Sequence, residues 1–181
     1  MCDDDGIAAL NLRDGRVTRV AACGTLRDMK NRLPLGQHDP MGCSVACVAF
    51  VTNSAYANAL KWFPFSADAC QRRLRGAGFL PAHVEKALAS AGRPYRRRRF
   101  GGESQHRRST AESLAPGAIV FVRRWNEDMA RHYVVKTPGG WMDPMEQTAR
   151  KKSEIWRPQR GACRPELPKG WTPISYMVPQ Q

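Results

Sequence analysis

A thiol, an imidazole, a carboxylate and a side-chain amide stand in an order in this sequence that suits covalent acyl chemistry: Gln37, Cys43, His132 and Asp143. Such chemistry needs a thiolate, a neighbouring imidazole to hold the proton, a group that orients the imidazole, and donors for the oxyanion. Cys43 follows Gly42 where a loop gives way to an apolar stretch. A cysteine that opens a helix sits in the partial positive charge of the helix N-terminus, a position that favours thiolate over thiol. Cys47 lies one turn deeper, where that field has largely faded, so Cys43 is the better nucleophile. Its backbone N–H is one candidate oxyanion donor and the Gln37 amide a second. Of the four histidines, His132 alone falls in a strand context beside a suitably placed acid. Asp143 there would accept from one ring nitrogen and leave the other facing the thiol. Each residue taken singly also has an ordinary structural role: a cysteine buried at a helix start, a strand histidine bonded to backbone, an Asp-Pro turn.

These groups need elements to hold them. Residues 43–60 run SVACVAFVTNSAYANAL after the cysteine, apolar and small without Gly or Pro, and their length favours a buried central helix over a strand, with a break near Thr52-Asn53-Ser54. Ala118–Val122, His132–Val135 and Trp141–Asp143 read as three short strands in a meander, turned at Pro138-Gly-Gly140. Antiparallel pairing brings the start of the second beside the end of the third, and so His132 beside Asp143.

Around this frame, Asp14-Gly15 splits a hairpin of Gly6–Arg13 and Arg16–Ala22, a short helix is expected over Thr25–Arg32, and Leu35–Gly42 is loop. Helices are expected from Ser66 to Arg75 and from Pro81 to Ala91. The second has Val84, Ala87, Leu88 and Ala91 on one buried stripe, with His83 and Glu85 on the surface. Ser109–Gly117 is a capped turn of helix. Past Met145 only Ile174–Val178 suggests a strand. The expectation is an α+β fold in one domain, residues 1–181, with residues 1–34 as an N-terminal hairpin and helix extension and 146–181 as a basic C-terminal extension.

Composition bounds the function. Apolar residues at 42% and charged residues at 25% are ordinary for a globular chain. No apolar run reaches membrane-spanning length and the acidic start MCDDDGIAAL is unlike a secretory signal, so a cytoplasmic protein with reduced cysteines is expected. The six cysteines offer a lone C-x3-C and no zinc pattern, and neither metal nor cofactor is expected. The net charge of +13 is uneven: residues 1–60 hold six basic and six acidic side chains, and the remaining 23 and 10 lie in 61–181. The densest run is Arg93-Pro-Tyr-Arg-Arg-Arg-Arg-Phe100, followed by His106-Arg-Arg108. Arg96, Arg97, Arg98 and Arg99 are candidates for binding an acidic partner, protein or nucleic acid; the plainer alternative is a solvated strand and loop.

Gln37-His-Asp-Pro-Met-Gly-Cys-Ser-Val-Ala-Cys47 resembles the Q-x5-C-G-x-A-C signature of the C39-like branch of papain-like cysteine peptidases, matching at Gln37, Cys43, Ala46 and Cys47. Pro116-Gly117-Ala-Ile-Val120, His132-Tyr-Val-Val135 and Asp143-Pro144 are similar to the second half of that pattern. The resemblance covers about residues 35–145. It implies a papain-like fold in which a helix carrying the cysteine packs on an antiparallel sheet carrying His and Asp, with Gln37 feeding the oxyanion hole. The chain departs from the pattern at Gly42, where Asp is common, and at Ser44, where Gly is. Some members are fused to peptide exporters and cut after a double glycine; the sequence has no transporter segment, so that specificity is not expected. What is expected is a soluble thiol hydrolase cleaving a peptide, isopeptide or amide bond of a peptide or protein through a thioester. The alternatives are acyl transfer by the same triad, as in deamidation or cross-linking, and a non-catalytic scaffold that binds through its arginines.

Overall fold

The computed structural model describes residues 10–13, 16–19, 29, 32–124, 130–145 and 162–180. Among them the chain forms eight strands and five helices in an α+β arrangement with an antiparallel sheet. Strands β1 (Leu10–Arg13) and β2 (Arg16–Arg19) pair antiparallel by themselves, with Arg13 opposite Arg16. The expected turn at Asp14-Gly15 and the rest of the expected hairpin lie outside the described residues. So does most of the expected helix over Thr25–Arg32, in which Met29 is helical and buried.

Helix α1 (Cys43–Thr52) is buried along its whole length from Cys43 to Val51. Its residues are apolar or small on every side, the composition of a helix at the centre of a domain. It stops where Asn53 adopts the left-handed conformation, φ 54°, which asparagine tolerates better than most residues. The expected 43–60 helix is therefore two, α1 and α2 (Tyr56–Leu60), broken at the anticipated place. Guanidiniums take the last carbonyls of α1: Arg32 Nη1 donates to Phe50 O at 2.7 Å and Arg93 Nη1 to Val51 O at 2.5 Å. Positive charge there offsets the negative end of the helix dipole, opposite the end where Cys43 stands.

Helix α3 (Ala67–Arg75) starts behind Ser66, whose Oγ accepts from the Ala69 N–H. In α4 (Pro81–Ser90) Val84, Ala87 and Leu88 form the buried stripe, and His83 caps the helix by accepting the Leu80 N–H at Nδ1. Strand β3 (Tyr95–Arg99) follows, then α5 (Ser104–Glu112), β4 (Ile119–Arg123), β5 (Arg131–Thr137), β6 (Gly140–Asp143), β7 (Ala162–Arg164) and β8 (Thr172–Pro179). The last six strands make one sheet in the order β3-β8-β4-β5-β6-β7.

Side-chain alternation gives this sheet two apolar faces. Tyr95, Ile119, Phe121, Tyr133, Val135, Met142 and Met177 pack under α1 to α4. Val120, Val122, Val134 and Trp141 pack with Phe100, Leu167 and Ala111 of α5.

Two elements differ from expectation. The helix expected at Ser109 begins five residues earlier, at Ser104, because polar residues fill its exposed side and only Ala111 is buried. The stretch expected as a basic extension after residue 145 supplies two strands of the sheet, and β8 lies inside it, paired with both β3 and β4. Pro173 makes β8 hard to read as an interior strand, since proline donates nothing to a ladder. It is accommodated opposite Val122, where the β4–β8 register shifts.

Candidate active site

His132 stands second in the meander's second strand, opposite Val122, and the tight turn at Pro138-Gly139 folds β6 back so that Val135 faces Met142. The turn depends on Gly140, with φ 130°, because a Cβ there would strike the Arg164 carbonyl of β7. Asp143 at the end of β6 is thereby carried to His132, and Nε2 meets Asp143 Oδ1 at 2.7 Å. Both side chains are withdrawn from water, His132 to 1% exposure and Asp143 to 5%.

With Nε2 committed, the remaining nitrogen is Nδ1, which is buried and has no partner of ordinary hydrogen-bond geometry. The sulfur of Cys43 lies near enough to influence the ring. Burial, the largest single influence, disfavours the imidazolium. The charge of Cys43, hydrogen bonding to Asp143 and to Cys43, and the charge of Asp143 together outweigh it and raise the pKa to about 9. A sulfur and a ring nitrogen close but loosely aligned are usual for such a pair without a bound substrate. On Asp143 burial acts upward, yet the bond from His132, its charge and the Met145 N–H, which donates to Oδ1 at 2.9 Å, hold the carboxyl below its usual value. The second cysteine of the helix differs: burial, then the charges of Cys43 and Asp143, push the Cys47 thiol well up.

The loop before α1 is stitched to the end of β6. The Gln37 N–H donates to Pro144 O at 3.0 Å and the Leu35 N–H to Met142 Sδ at 3.4 Å. Gln37 is buried, and its Nε2 donates to Pro40 O at 2.9 Å, which leaves one amide hydrogen for another acceptor. Gln37, Cys43, His132 and Asp143 thus come from one helix start and one sheet end.

Three residues that sequence reasoning did not single out support this place. The Trp171 ring lies 5.4 Å from the His132 ring. It is held there by Arg108, whose guanidinium donates to the carbonyls of Leu167, Pro168 and Trp171 at 2.7, 3.1 and 3.0 Å. One turn along α5, Glu112 accepts from Lys136 Nζ, Trp141 Nε1 and the Leu167 N–H at 3.0, 2.8 and 2.8 Å. The i, i+4 spacing of Arg108 and Glu112 was the available signal, since it sets the two on one side of a helix. Beside His132 opens a cavity of about 620 Å³, lined in part by Asp143, Arg124, Arg164, Lys169 and Trp171.

Compared with protein-family models and with curated proteins, the sequence finds no match.

The arginine candidates lie elsewhere, on edge strand β3, where Arg96, Arg97, Arg98 and Arg99 are all exposed. Much of the surrounding run is spent internally: Arg93 on α1, Arg107 on the Gly102 carbonyl, Arg108 as above. Arg97 is paired too, its N–H donating to Glu85 Oε1 at 3.0 Å while Nε sits 3.4 Å from Oε2. Arg96, Arg98 and Arg99 make no ion pair among the described residues. Among those residues no group of three or more His, Cys, Asp and Glu could hold a metal ion, and no helix is long and apolar enough to cross a membrane.

Proposed function

We propose that this chain is a thiol hydrolase of papain-like design, with Cys43 as nucleophile, His132 as its acid–base partner, Asp143 orienting the ring, and the Cys43 N–H and Gln37 amide receiving the oxyanion. The observation that carries it is the imidazole fastened through Nε2 to a buried carboxylate while Nδ1 is left for the sulfur at the head of α1. In that arrangement the Cys43 thiolate adds to the carbonyl of a peptide, isopeptide or amide bond. The His132 imidazolium hands its proton to the departing amine, a thioester forms, and the neutral ring then takes a proton from the water that hydrolyses it. Because His132 protonates the leaving group, that part of the substrate lies on the imidazole side. The cavity beside His132 offers room for it.

The test is site-mapped alkylation with dilute iodoacetamide near pH 6, where ordinary thiols are almost wholly protonated. Cys43, though buried, should react at least about tenfold faster than exposed Cys163. The fast phase should vanish in Cys43→Ser and persist in Cys47→Ser. Cys163 reacting as fast, or a fast phase surviving Cys43→Ser, would defeat the proposal. The same triad serves acyl transfer if a second amine, and not water, reaches the thioester.

A second role draws on three exposed arginines of β3, Arg96, Arg98 and Arg99, which make no ion pair among the described residues and suit an acidic partner. Replacing Arg96, Arg98 and Arg99 by Gln should then weaken binding to a polyanion such as heparin and flatten its salt dependence. Unchanged retention on heparin would remove this role.

A further inference from the structure

The turn between Gln37 and Cys43 is held from outside by one side chain of α2. Asp39 to Gly42 closes through the Gly42 N–H, which donates to the Asp39 carbonyl at 3.0 Å. Tyr56 donates its hydroxyl to Asp39 Oδ2 at 3.0 Å, and its ring lies flat on His38, centroids 4.3 Å apart and planes 6° apart. The tyrosine oxygen fills the space that a Cβ on residue 42 would need. Gly42 has φ −89°, a conformation open to any L-residue, so the close contact with Tyr56 and not backbone freedom calls for glycine here. That is a physical reason for one departure from the peptidase pattern, since an aspartate at 42 has no room beside Tyr56. Burial first, then the charge and hydrogen bond of Asp39 and the charge of Cys43, raise the tyrosine pKa, so the hydroxyl keeps its proton and stays a donor.

Both groups suited to receive an oxyanion belong to this turn, Gln37 Nε2 entering it and bonded to the Pro40 carbonyl, the Cys43 N–H leaving it. We infer that Tyr56, acting through Asp39, is a positioning residue that fixes the turn so that the Gln37 amide and the Cys43 N–H converge on one point. This rests on the thiol-hydrolase reading and adds a residue to it. A distortion of the turn harms a reaction that builds negative charge on oxygen and spares one that does not.

The two reactions can be compared at one sulfur. With p-nitrophenyl acetate the thiolate adds to the carbonyl, the electron pair moves to oxygen, and p-nitrophenolate leaves as an acetyl thioester forms. With iodoacetamide a carbon–sulfur bond replaces a carbon–iodine bond, iodide leaves, and no oxyanion arises. Tyr56→Phe and Asp39→Ala should each slow acetylation of Cys43 about tenfold and alkylation by less than about twofold, with Asp39→Asn recovering much of the loss because it still accepts from the hydroxyl. Tyr56→Phe should cost little more once Gln37→Ala is present. Gly42→Ala should be slow in acetylation and partly rescued by adding Tyr56→Phe, whose nearest remaining ring carbon is 3.2 Å from the new methyl. Equal slowing of both reactions, no slowing of acetylation, or effects of Tyr56→Phe and Gln37→Ala that multiply in full would overturn the positioning role. A native Cys43 that takes neither reagent would instead bring down the thiol-hydrolase reading itself.

Discussion

At the start of β5 the His132 imidazole is 1% exposed and bonded to a carboxylate, whereas on β3 four arginines stand in water, one of them paired with Glu85. Both regions carry charge, and solvent separates their worth. Taking a charged group out of water costs several kcal/mol unless fixed partners compensate it, so a buried pair exists only where geometry is good. Exposed charges are screened within about 10 Å, and the pairing of Arg97 with Glu85 is worth a fraction of a kcal/mol. The buried site therefore encodes one arrangement, and the strand encodes a sign.

The sharpest way to break the contrast is to neutralise one member of each region. Asp143→Asn keeps the shape but lets the ring adopt the wrong tautomer, and acylation of Cys43 should fall about 10³-fold or more. Arg96→Gln with Arg98→Gln should change the same rate less than about twofold, because neither touches the site. Burst kinetics with an activated ester measures both. Similar losses in the two variants would mean that the arginines work at the sulfur.

The pH dependence of stability separates the regions as well. His132 has its pKa raised from 6.5 to about 9 in the folded chain. Its contribution is thus complete below about pH 6.5 and is lost as pH rises through about 9; at full strength it is on the order of 3 kcal/mol. Much of the rise comes from Cys43, so in Cys43→Ala the folded pKa should drop and the loss between pH 7 and 10 should shrink. Urea unfolding at a series of pH values reads this directly. Equal pH dependence in the two proteins would show that the sulfur and the ring are not coupled.

The same contrast explains what could be read before the structure. The frame was legible: the buried helix from Cys43 with its break at Thr52-Asn53-Ser54, the β4–β5–β6 meander, and the meeting of His132 with Asp143 all follow from the length and composition of apolar stretches or from antiparallel pairing. Strand β8 was legible only in part, because Thr172 and Pro179 at its ends and Pro173 within it hide a central position that exists only through the β4 irregularity. Trp171, Arg108 and Glu112 were not legible as supports, since their partners lie 24 to 63 residues away in sequence and are backbone carbonyls, a backbone N–H or single side-chain donors. Arg93 and Arg108 read as members of a surface patch and are committed to carbonyls. Composition counts charges without revealing which of them are already spent.

Glu112 lies between the two extremes, half-buried and satisfied by three donors. Burial acts upward on its pKa, but the Leu167 N–H, the Trp141 indole and Lys136 hold it below the usual carboxylate range. Its contribution is present above the unfolded value and lost as pH falls through the lower folded one. Glu112→Ala should cost about 1–3 kcal/mol at neutral pH, leaving three donors without their acceptor, and the cost should diminish in acid. Denaturation at pH 7 and pH 3.5 checks it; a loss that grows in acid would contradict the assigned bonds.

The smallest effect sharpens the account of β3. Glu85 accepts the backbone N–H of Arg97 and pairs with its guanidinium, so it occupies a donor that an edge strand otherwise offers to another chain. Its arginine neighbours add like-charge repulsion against a second copy of the same strand. Glu85→Ala should cost only a few tenths of a kcal/mol in stability, since the pair is half in water. Adding Arg96→Gln and Arg98→Gln should then raise self-association at high salt, where the remaining charge is screened. Light scattering at 0.1 and 1 M salt follows this. A triple variant that stays as monodisperse as the native chain at both would mean that the arginines do not guard the edge, and their exposure would then favour the polyanion-binding role.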